Sequence, residues 1–441
     1  MLIGFIEALM AFFGCALLWQ NAIQKRFRNF ASSVFLLCYV PLFCIYPVIG
    51  RMLAEGAISV DSRRIDAISD PFVYIIFQAY NFIILIGIYF STSKPIPSPT
   101  EIGAGSMEKW QRSHSLSLFI FSLLALGVFL YVDSTGLSIG ELLIASRFEW
   151  FQNEAYSSTL TVISSYFIAL APAAVYLTLS NKKYFLLAAS LLILIGYGAL
   201  SKDRKWLIYI ASGIFAAQYV RSNYSIFLSK KQTFWLIFLA TILAFWQIGR
   251  GILFSYAVGD SVDLATEIPN MIEQLLTRGD LPYYYNVSAT ALHMNLNDGF
   301  SIPLGLLRRQ LFFFLPVDYS FGLKVEDISA IFSDAIDAGD QIRRGNMPPS
   351  LIGLLVLSFE WWGGFIFAAL FPLGLGFLDR FIRKRRGPLQ VALISSFLSS
   401  TLLLLRGDDS SATYFIVFSA MTLSMIKFFS SSKSVRSPKI A

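Results

Sequence analysis

The chain has 441 residues, of which 56% are hydrophobic and only 14% charged, and its formal net charge is +7. Soluble domains are typically roughly 45–50% apolar and about 25% charged, so this composition excludes an ordinary soluble enzyme. The three cysteines all precede residue 45, and their spacing matches neither a disulfide framework nor a metal-binding pattern.

Apolar blocks near the length of a bilayer-spanning helix follow one another along the chain. They predict an all-α polytopic membrane protein with eleven spans, at 2–20, 30–49, 71–90, 115–132, 157–180, 184–200, 207–220, 233–252, 351–378, 388–405 and 411–429. The first block has no basic N-terminal region and no small-residue cleavage site, so we expect a retained helix rather than a signal peptide.

The spans divide the chain into three regions. Residues 1–252 hold predicted helices one to eight, residues 253–350 form a large loop, and residues 351–441 hold helices nine to eleven and a tail. Connections on one side of the membrane carry 19 basic residues, and the short connections on the other side carry eight. Because Lys and Arg concentrate in cytoplasmic loops, we expect the N-terminus outside the cytoplasm and the C-terminus inside. The positive charge therefore reflects topology and does not indicate nucleic-acid binding.

The loop 253–350 is far longer than most connections, and loops of this length are usually functional. It carries six basic and twelve acidic residues, with aromatic runs at 282–285 and 311–316. This is not the composition of a disordered linker, and it predicts a small, mostly helical cap on the outer face. The tyrosines of 282–285, with Trp361 and Trp362, could stack on sugars, although such rings also form the aromatic belts of membrane boundaries.

Three side chains are candidate catalytic groups. Glu360 lies about ten residues inside the ninth span, where an unpaired carboxylate is costly. We expect it to be either a general base or the partner of an arginine such as Arg250 or Arg406. His293 and Asp280, in the large loop, are alternative bases, and histidine suits that role because it titrates near neutral pH. A purely structural role is the competing interpretation of each.

Arginines recur near the outer ends of the predicted spans, where the positive-inside bias predicts few basic residues. Guanidinium groups form bidentate pairs with phosphate oxygens and stay charged when partly dehydrated. We therefore expect them to bind a lipid-linked pyrophosphate, with pairing to loop carboxylates or to phospholipid as the alternative. The candidate ligands are Arg204, Arg250, Arg278, Arg308, Arg309, Arg343 and Arg344. The sequence has no nucleotide or metal motif, so we expect no cofactor and a substrate that arrives already activated.

The layout of spans and the late outer loop resemble the O-antigen polymerase family, the Wzy-type oligosaccharide repeat-unit polymerases of bacterial envelopes. Three local stretches carry the resemblance: LLRRQLFFFLPVDYS, GNMPPSLIGLLVLSFEWWGGFIF and SKDRKWL. They are similar to an apolar run ending in Pro, to a Pro-rich entry into a span followed by bulky aromatic and Gly residues, and to a short basic outer turn.

This resemblance implies an inner-membrane glycosyltransferase with a GT-C-like fold. Such an enzyme moves a growing glycan from its undecaprenyl pyrophosphate onto the next lipid-linked repeat unit. The arginines would then stabilise charge on the departing pyrophosphate, and one carboxylate or His293 would deprotonate the acceptor hydroxyl. The implied partners are the lipid-linked oligosaccharide, membrane lipids and a chain-length regulator protein. An O-antigen ligase and a non-enzymatic flippase of polysaccharide or lipid-linked sugars are the alternative functions.

Overall fold

The computed structural model describes residues 2–25, 27–48, 70–93, 114–144, 157–201, 205–222, 280–312, 320–325, 327–336, 348–384, 388–407, 417, 419–425 and 427–428, and this part of the chain contains helices and no strands. The helices are α1 (Leu2–Leu18), α2 (Phe30–Tyr39), α3 (Pro71–Ser93), α4 (His114–Thr135), α5 (Ile139–Ile144), α6 (Ser158–Ile168), α7 (Ala171–Ser180), α8 (Tyr184–Ser201), α9 (Lys205–Arg221), α10 (Asp280–Asn297), α11 (Gly305–Leu311), α12 (Ile328–Ile336), α13 (Ser350–Lys384) and α14 (Pro388–Arg406). Wider π-helical turns, Trp19–Gln24 and Val40–Ile45, continue α1 and α2.

The protein is an all-helical polytopic membrane protein. Seven helices within the described ranges are long and apolar enough to cross a bilayer: Gly4–Ala22, Phe30–Val48, Pro71–Ser93, His114–Thr135, Ile163–Ser180, Tyr184–Ser201 and Ser350–Ile382. Two further predicted spans correspond to shorter apolar helices, Trp206–Val220 and Gln390–Arg406. The predicted span 233–252 lies outside the described residues, as does most of 411–429.

The chain divides into two compact units. Unit 1 comprises Met1–Ile96, Asp263–Phe381 and Ser400–Thr413, and unit 2 comprises Pro97–Val262, Ile382–Ser399 and Tyr414–Ala441. Unit 1 thus combines pieces of all three regions predicted from the sequence, and it contains the described part of the large loop.

Unit 2 is built from closely packed helices. A Cβ atom on Gly127 of α4 would lie only 2.7 Å from Cβ of Phe167, so α4 and α6 approach closely at this glycine. The short helix α5 begins with a capping box, in which the Ser138 N–H and hydroxyl donate to Glu141 at 2.8 and 2.7 Å. These two bonds hold the pKa of Glu141 below its usual range.

In unit 1, α3 and the later part of α13 run side by side in the same direction. The hydroxyl of Tyr80 donates to the carbonyl of Trp361 at 2.6 Å. Further along, a Cβ atom on Gly87 would lie 2.8 Å from Cγ of Pro372, and one on Gly376 would lie 2.9 Å from Cβ of Ser91. The missing side chains let the two helices approach closely along most of their length.

Helix α13 is not the straight span that the sequence predicted for 351–378, because it breaks at Glu360, which has φ 61° and ψ 167°. The Cβ position of Gly364 lies 3.4 Å from the carbonyl carbon of Leu355, although nine residues of straight helix would separate them by about 13.5 Å. The rings of Phe359 and Phe367 also stack, 3.6 Å apart. The first arm (350–359) and the second arm (361–384) therefore fold back on each other. The second arm alone, about 36 Å long, is sufficient to cross a bilayer.

The first arm packs against the described part of the large loop, which is helical as predicted. Two apolar clusters join them. One contains Val287, Ala291, Phe332 and Leu357, and the other contains Ile302, Ile328 and Leu354. We call α10, α11, α12 and the first arm of α13 the cap.

A second set of contacts fixes the end of unit 1 at which α3 finishes. Asp379 accepts the N–H of Ala31 at 2.5 Å and both the N–H and the hydroxyl of Ser32, at 3.2 and 2.6 Å. The first N–H groups of a helix have no partner within it, so Asp379 caps α2 from a distant part of the chain. Nearby, Lys25 Nζ donates to the carbonyl of Thr92 at 2.8 Å, and burial lowers the pKa of Lys25.

Candidate functional site

His293 lies one turn before the end of α10 and faces a carboxylate. Its Nδ1 is 3.8 Å from Oδ2 of Asp70, and the two side chains are 30% and 27% exposed. The amide nitrogen of Asn297 lies 2.8 Å from the same ring nitrogen. The imidazole thus has two polar neighbours and still reaches the surface, as a group that exchanges protons with a substrate must.

The start of α3 explains the position of Asp70. Oδ1 of Asp70 accepts the N–H of Phe72 at 2.8 Å, and Pro71 occupies the first helical position, where its missing N–H is harmless. One carboxylate oxygen therefore caps α3 while the other faces His293. Sequence reasoning missed Asp70 as a site residue: Asp-Pro before an apolar run indicates a helix start, but nothing local joins it to His293.

Aromatic packing holds α10 against α3. The rings of Phe77 and Tyr285 meet edge to face with centroids 4.9 Å apart, and Phe43 meets Tyr284 in the same way at 5.7 Å. Because Tyr285 contacts Phe77 while His293 faces Asp70, α10 runs antiparallel to α3. Tyr284 and Tyr285 are buried, so they belong to the core and are available neither for stacking on sugars nor for an aromatic belt.

A chain of buried polar side chains supports this packing. Tyr39 donates to Oδ1 of Asn81 at 2.5 Å, Asn81 donates to Gln78 at 3.3 Å, and Gln78 donates to Tyr74 at 2.8 Å. Asn81 also donates to the carbonyl of Phe43, in the π-helical turn, at 3.2 Å. These bonds satisfy polar groups that would be costly unpaired in a membrane.

Glu360 lies at the apex of the α13 hairpin and is exposed, not buried in a span as predicted. Its Oε2 accepts the indole N–H of Trp362 at 2.8 Å. Of the two arginines expected as partners, Arg250 lies outside the described residues and Arg406 is the last residue of α14. The φ and ψ angles of Glu360 belong to a region occupied almost only by glycine, and such strain costs about 1–3 kcal/mol.

The backbone on both sides of the apex is satisfied by the cap. The carbonyls of Leu357 and Ser358, which the break releases from the helix, accept the N–H groups of Ile302 and Leu304 at 2.7 and 2.8 Å. The N–H of Trp361 donates to Oδ1 of Asn295 at 3.0 Å. The apex is therefore a built turn rather than a frayed one.

The three candidate bases lie in three different places. Asn295, which contacts the apex, is two residues from His293, so Glu360 and His293 lie on opposite faces of α10. Asp280 is the first residue of α10, about 20 Å along the helix from His293. Within the described residues, His293 is the candidate with a carboxylate beside it.

The two predicted phosphate-binding arginines that the structure describes make other contacts. Arg308 donates through Nε to the carbonyl of Leu323 at 2.9 Å and through Nη2 to that of Gly322. Arg309 donates to the carbonyl of Val325 at 3.1 Å. Both guanidinium groups therefore hold the segment 320–325 on the cap. The remaining candidates, Arg204, Arg250, Arg278, Arg343 and Arg344, lie outside the described residues.

Comparisons with family models, with characterised proteins and with solved structures find no match to this chain.

Proposed function

We propose that the protein is a membrane-embedded glycosyltransferase with a GT-C-like architecture, which polymerises undecaprenyl-pyrophosphate-linked oligosaccharide repeat units. The observation that carries the proposal is that the half-buried His293, near the end of α10, lies 3.8 Å from the carboxylate of Asp70 at the start of the membrane-spanning helix α3. The resemblance to O-antigen polymerases supports the substrate class.

The proposal includes an orientation. The excess of basic residues in one set of connections supports placing the end of α3 and Asp379 at the cytoplasmic face of the bacterial inner membrane. Asp70, His293 and the cap would then lie at the periplasmic face, with the N-terminus periplasmic and the C-terminus cytoplasmic. The sugars of a lipid-linked substrate lie at that same boundary.

In the proposed reaction, His293 accepts the proton of the acceptor hydroxyl at the non-reducing end of a lipid-linked repeat unit. The hydroxyl oxygen forms the new glycosidic bond to the anomeric carbon of the donor glycan. The bond from that carbon to the pyrophosphate oxygen breaks, and undecaprenyl pyrophosphate leaves with the electron pair. The negative charge of Asp70 stabilises the imidazolium that forms.

Charge on the departing pyrophosphate needs cationic donors. Arg308 and Arg309 are not proposed for this role, because their guanidinium groups already bind backbone carbonyls. Arg204, Arg250, Arg278, Arg343 and Arg344 remain the proposed pyrophosphate ligands. A chain-length regulator protein remains a proposed partner.

Gel electrophoresis of the surface polysaccharide tests the proposal. If the protein is a polymerase, a strain that lacks the gene should carry a single repeat unit on its lipid A core. If the protein is a ligase or a flippase, the same strain should carry none. Loss of a flippase should in addition leave repeat units trapped inside the cell. Complementation with His293→Gln should leave the same single unit, while His114→Gln, which changes the exposed histidine at the start of α4, should restore long chains. Long chains from His293→Gln would overturn the assignment of the base.

A further inference from the structure

Glu360 occupies a backbone conformation that glycine would adopt without strain. Its φ of 61° and ψ of 167° lie in a region essentially restricted to glycine. The neighbouring backbone does not need the glutamate side chain, because Asn295, Ile302 and Leu304 belong to the cap and make the bonds that secure the turn. What the side chain adds at this position is an exposed carboxylate.

The carboxylate is exposed and has one hydrogen-bond donor beside it. The indole N–H of Trp362 donates to Oε2 at 2.8 Å, so Oε1 can accept a hydrogen bond from a ligand. Trp361 and Trp362 present indole rings that are 37% and 57% exposed. A charged acceptor beside flat apolar rings suits a sugar, whose hydroxyl groups donate hydrogen bonds and whose C–H faces are apolar.

The location favours a ligand that reaches the protein from the membrane. Exposed apolar side chains recur at helical spacing along the second arm, and they continue from Trp362 through Ile366, Leu370, Leu373 and Phe377. This stripe is typical of a lipid-facing helix surface. Glu360 and Trp362 lie at the end of this stripe, which we assign to the membrane boundary because tryptophan favours that depth.

We propose that Glu360, Trp361 and Trp362 form a binding site for sugar hydroxyls of the lipid-linked acceptor. This rests on the proposed function. A carboxylate repels phosphate, so the site takes the neutral sugars and not the pyrophosphate. His293 lies across α10, a helix about 10–12 Å in diameter. An oligosaccharide anchored beside the stripe can bind Glu360 with its inner sugars and present its non-reducing end to His293.

The test measures polymer formation in membrane vesicles, with lipid-linked repeat units extracted from the gene-deletion strain as the probe. Glu360→Gln should raise the KM for these units about tenfold and change kcat less than about twofold, the effect of losing a charge-assisted hydrogen bond. Glu360→Gly should raise KM similarly while the unfolding temperature stays equal or rises by about 1–3 °C, because the strain is removed. Glu141→Gln, at an exposed glutamate of α5, should leave KM unchanged.

Three outcomes would overturn this proposal. Wild-type KM in Glu360→Gly would show that the carboxylate binds no sugar, and a lower unfolding temperature in either variant would assign Glu360 to the fold. A loss confined to kcat would assign Glu360 to the chemical step instead of to sugar binding, and would also overturn the proposed binding site. Failure of the gene deletion to shorten the polysaccharide would refute the proposed polymerase function, which is a separate result.

Discussion

Ser32 and Asp379, which lie 347 positions apart in the chain, are joined by two hydrogen bonds within unit 1. Hydrogen bonds to a charged group contribute about 1.5–3 kcal/mol, so Asp379→Ala should destabilise the protein by about 2–3 kcal/mol. Ser32→Ala removes only the hydroxyl and should cost less. Thermal unfolding of the purified protein in detergent measures both, and equal unfolding temperatures for Asp379→Ala and wild type would contradict the capping role.

Gly407 ends α14 against the first residue of α13. Its φ is +83°, and a Cβ atom there would lie 2.3 Å from the carbonyl oxygen of Ser350. Gly407→Ala should therefore lower membrane abundance and unfolding temperature, through both backbone strain and a clash. Gly374→Ala is the matched control, since nothing lies within 4 Å of its Cβ position. That substitution should be neutral or stabilise the helix by up to about 1 kcal/mol.

Asp70→Asn separates the two roles of Asp70. Asparagine caps helices as well as aspartate does, so the unfolding temperature should hardly change. The rate of polymerisation should fall, because the imidazole loses its charged neighbour. The loss should not exceed the roughly 10²–10⁴-fold expected for removal of the base itself. Asp298→Asn, an exposed change just beyond α10, should leave the rate intact, and an unchanged rate in Asp70→Asn would remove Asp70 from the mechanism.

Arg278 and Arg308 should respond differently to the same substitution. Arg278→Lys should abolish polymerisation if its fork binds the pyrophosphate, because an ammonium cannot replace bidentate geometry. Arg308→Lys should instead cost about 1 kcal/mol of stability and retain polymerisation, since Arg308 binds the carbonyls of Gly322 and Leu323. The opposite pattern would return Arg308 to the phosphate site.

The capping box of α5 should make that helix sensitive to acid. The bonds from Ser138 lower the pKa of Glu141 in the folded protein, so their stabilisation is present above the ordinary pKa of glutamate. It is lost as the pH falls through the lowered folded value. Hydrogen exchange of α5 should accelerate as the pH is lowered, after correction for intrinsic rates. In Ser138→Ala, which removes the hydroxyl bond and keeps the bond from the backbone N–H, this pH dependence should weaken.

Hydropathy predicted the spans that the described helices contain, but not the break in α13. The sequence LLVLSFEWWGGFIF is apolar on both sides of Glu360, and an apolar residue covered by protein has the same hydropathy as one covered by lipid. The adjacent glycines at 363 and 364 were the available signal in the sequence. In the structure, a side chain at Gly364 would collide with Tyr80.

The candidate site was likewise predicted only in part from the sequence. His293 was a candidate from its residue type alone. Its pairing with Asp70 depends on α10 packing antiparallel to α3, which follows from contacts such as that of Phe77 with Tyr285. No local pattern encodes such contacts, and for the same reason the buried tyrosines of α10 were mistaken for surface rings.

The break in α13 gives the two halves of one apolar stretch different surroundings: the first arm is covered by protein and the second arm faces lipid. The side chains of the first arm are covered by the cap, so lipid contributes little to their burial, whereas the second arm exposes its stripe from Trp362 to Phe377. Helices α10, α11 and α12 precede α13 in the chain and are synthesised first. The first arm therefore emerges with its protein partners already present, and only the second arm has to partition into the bilayer.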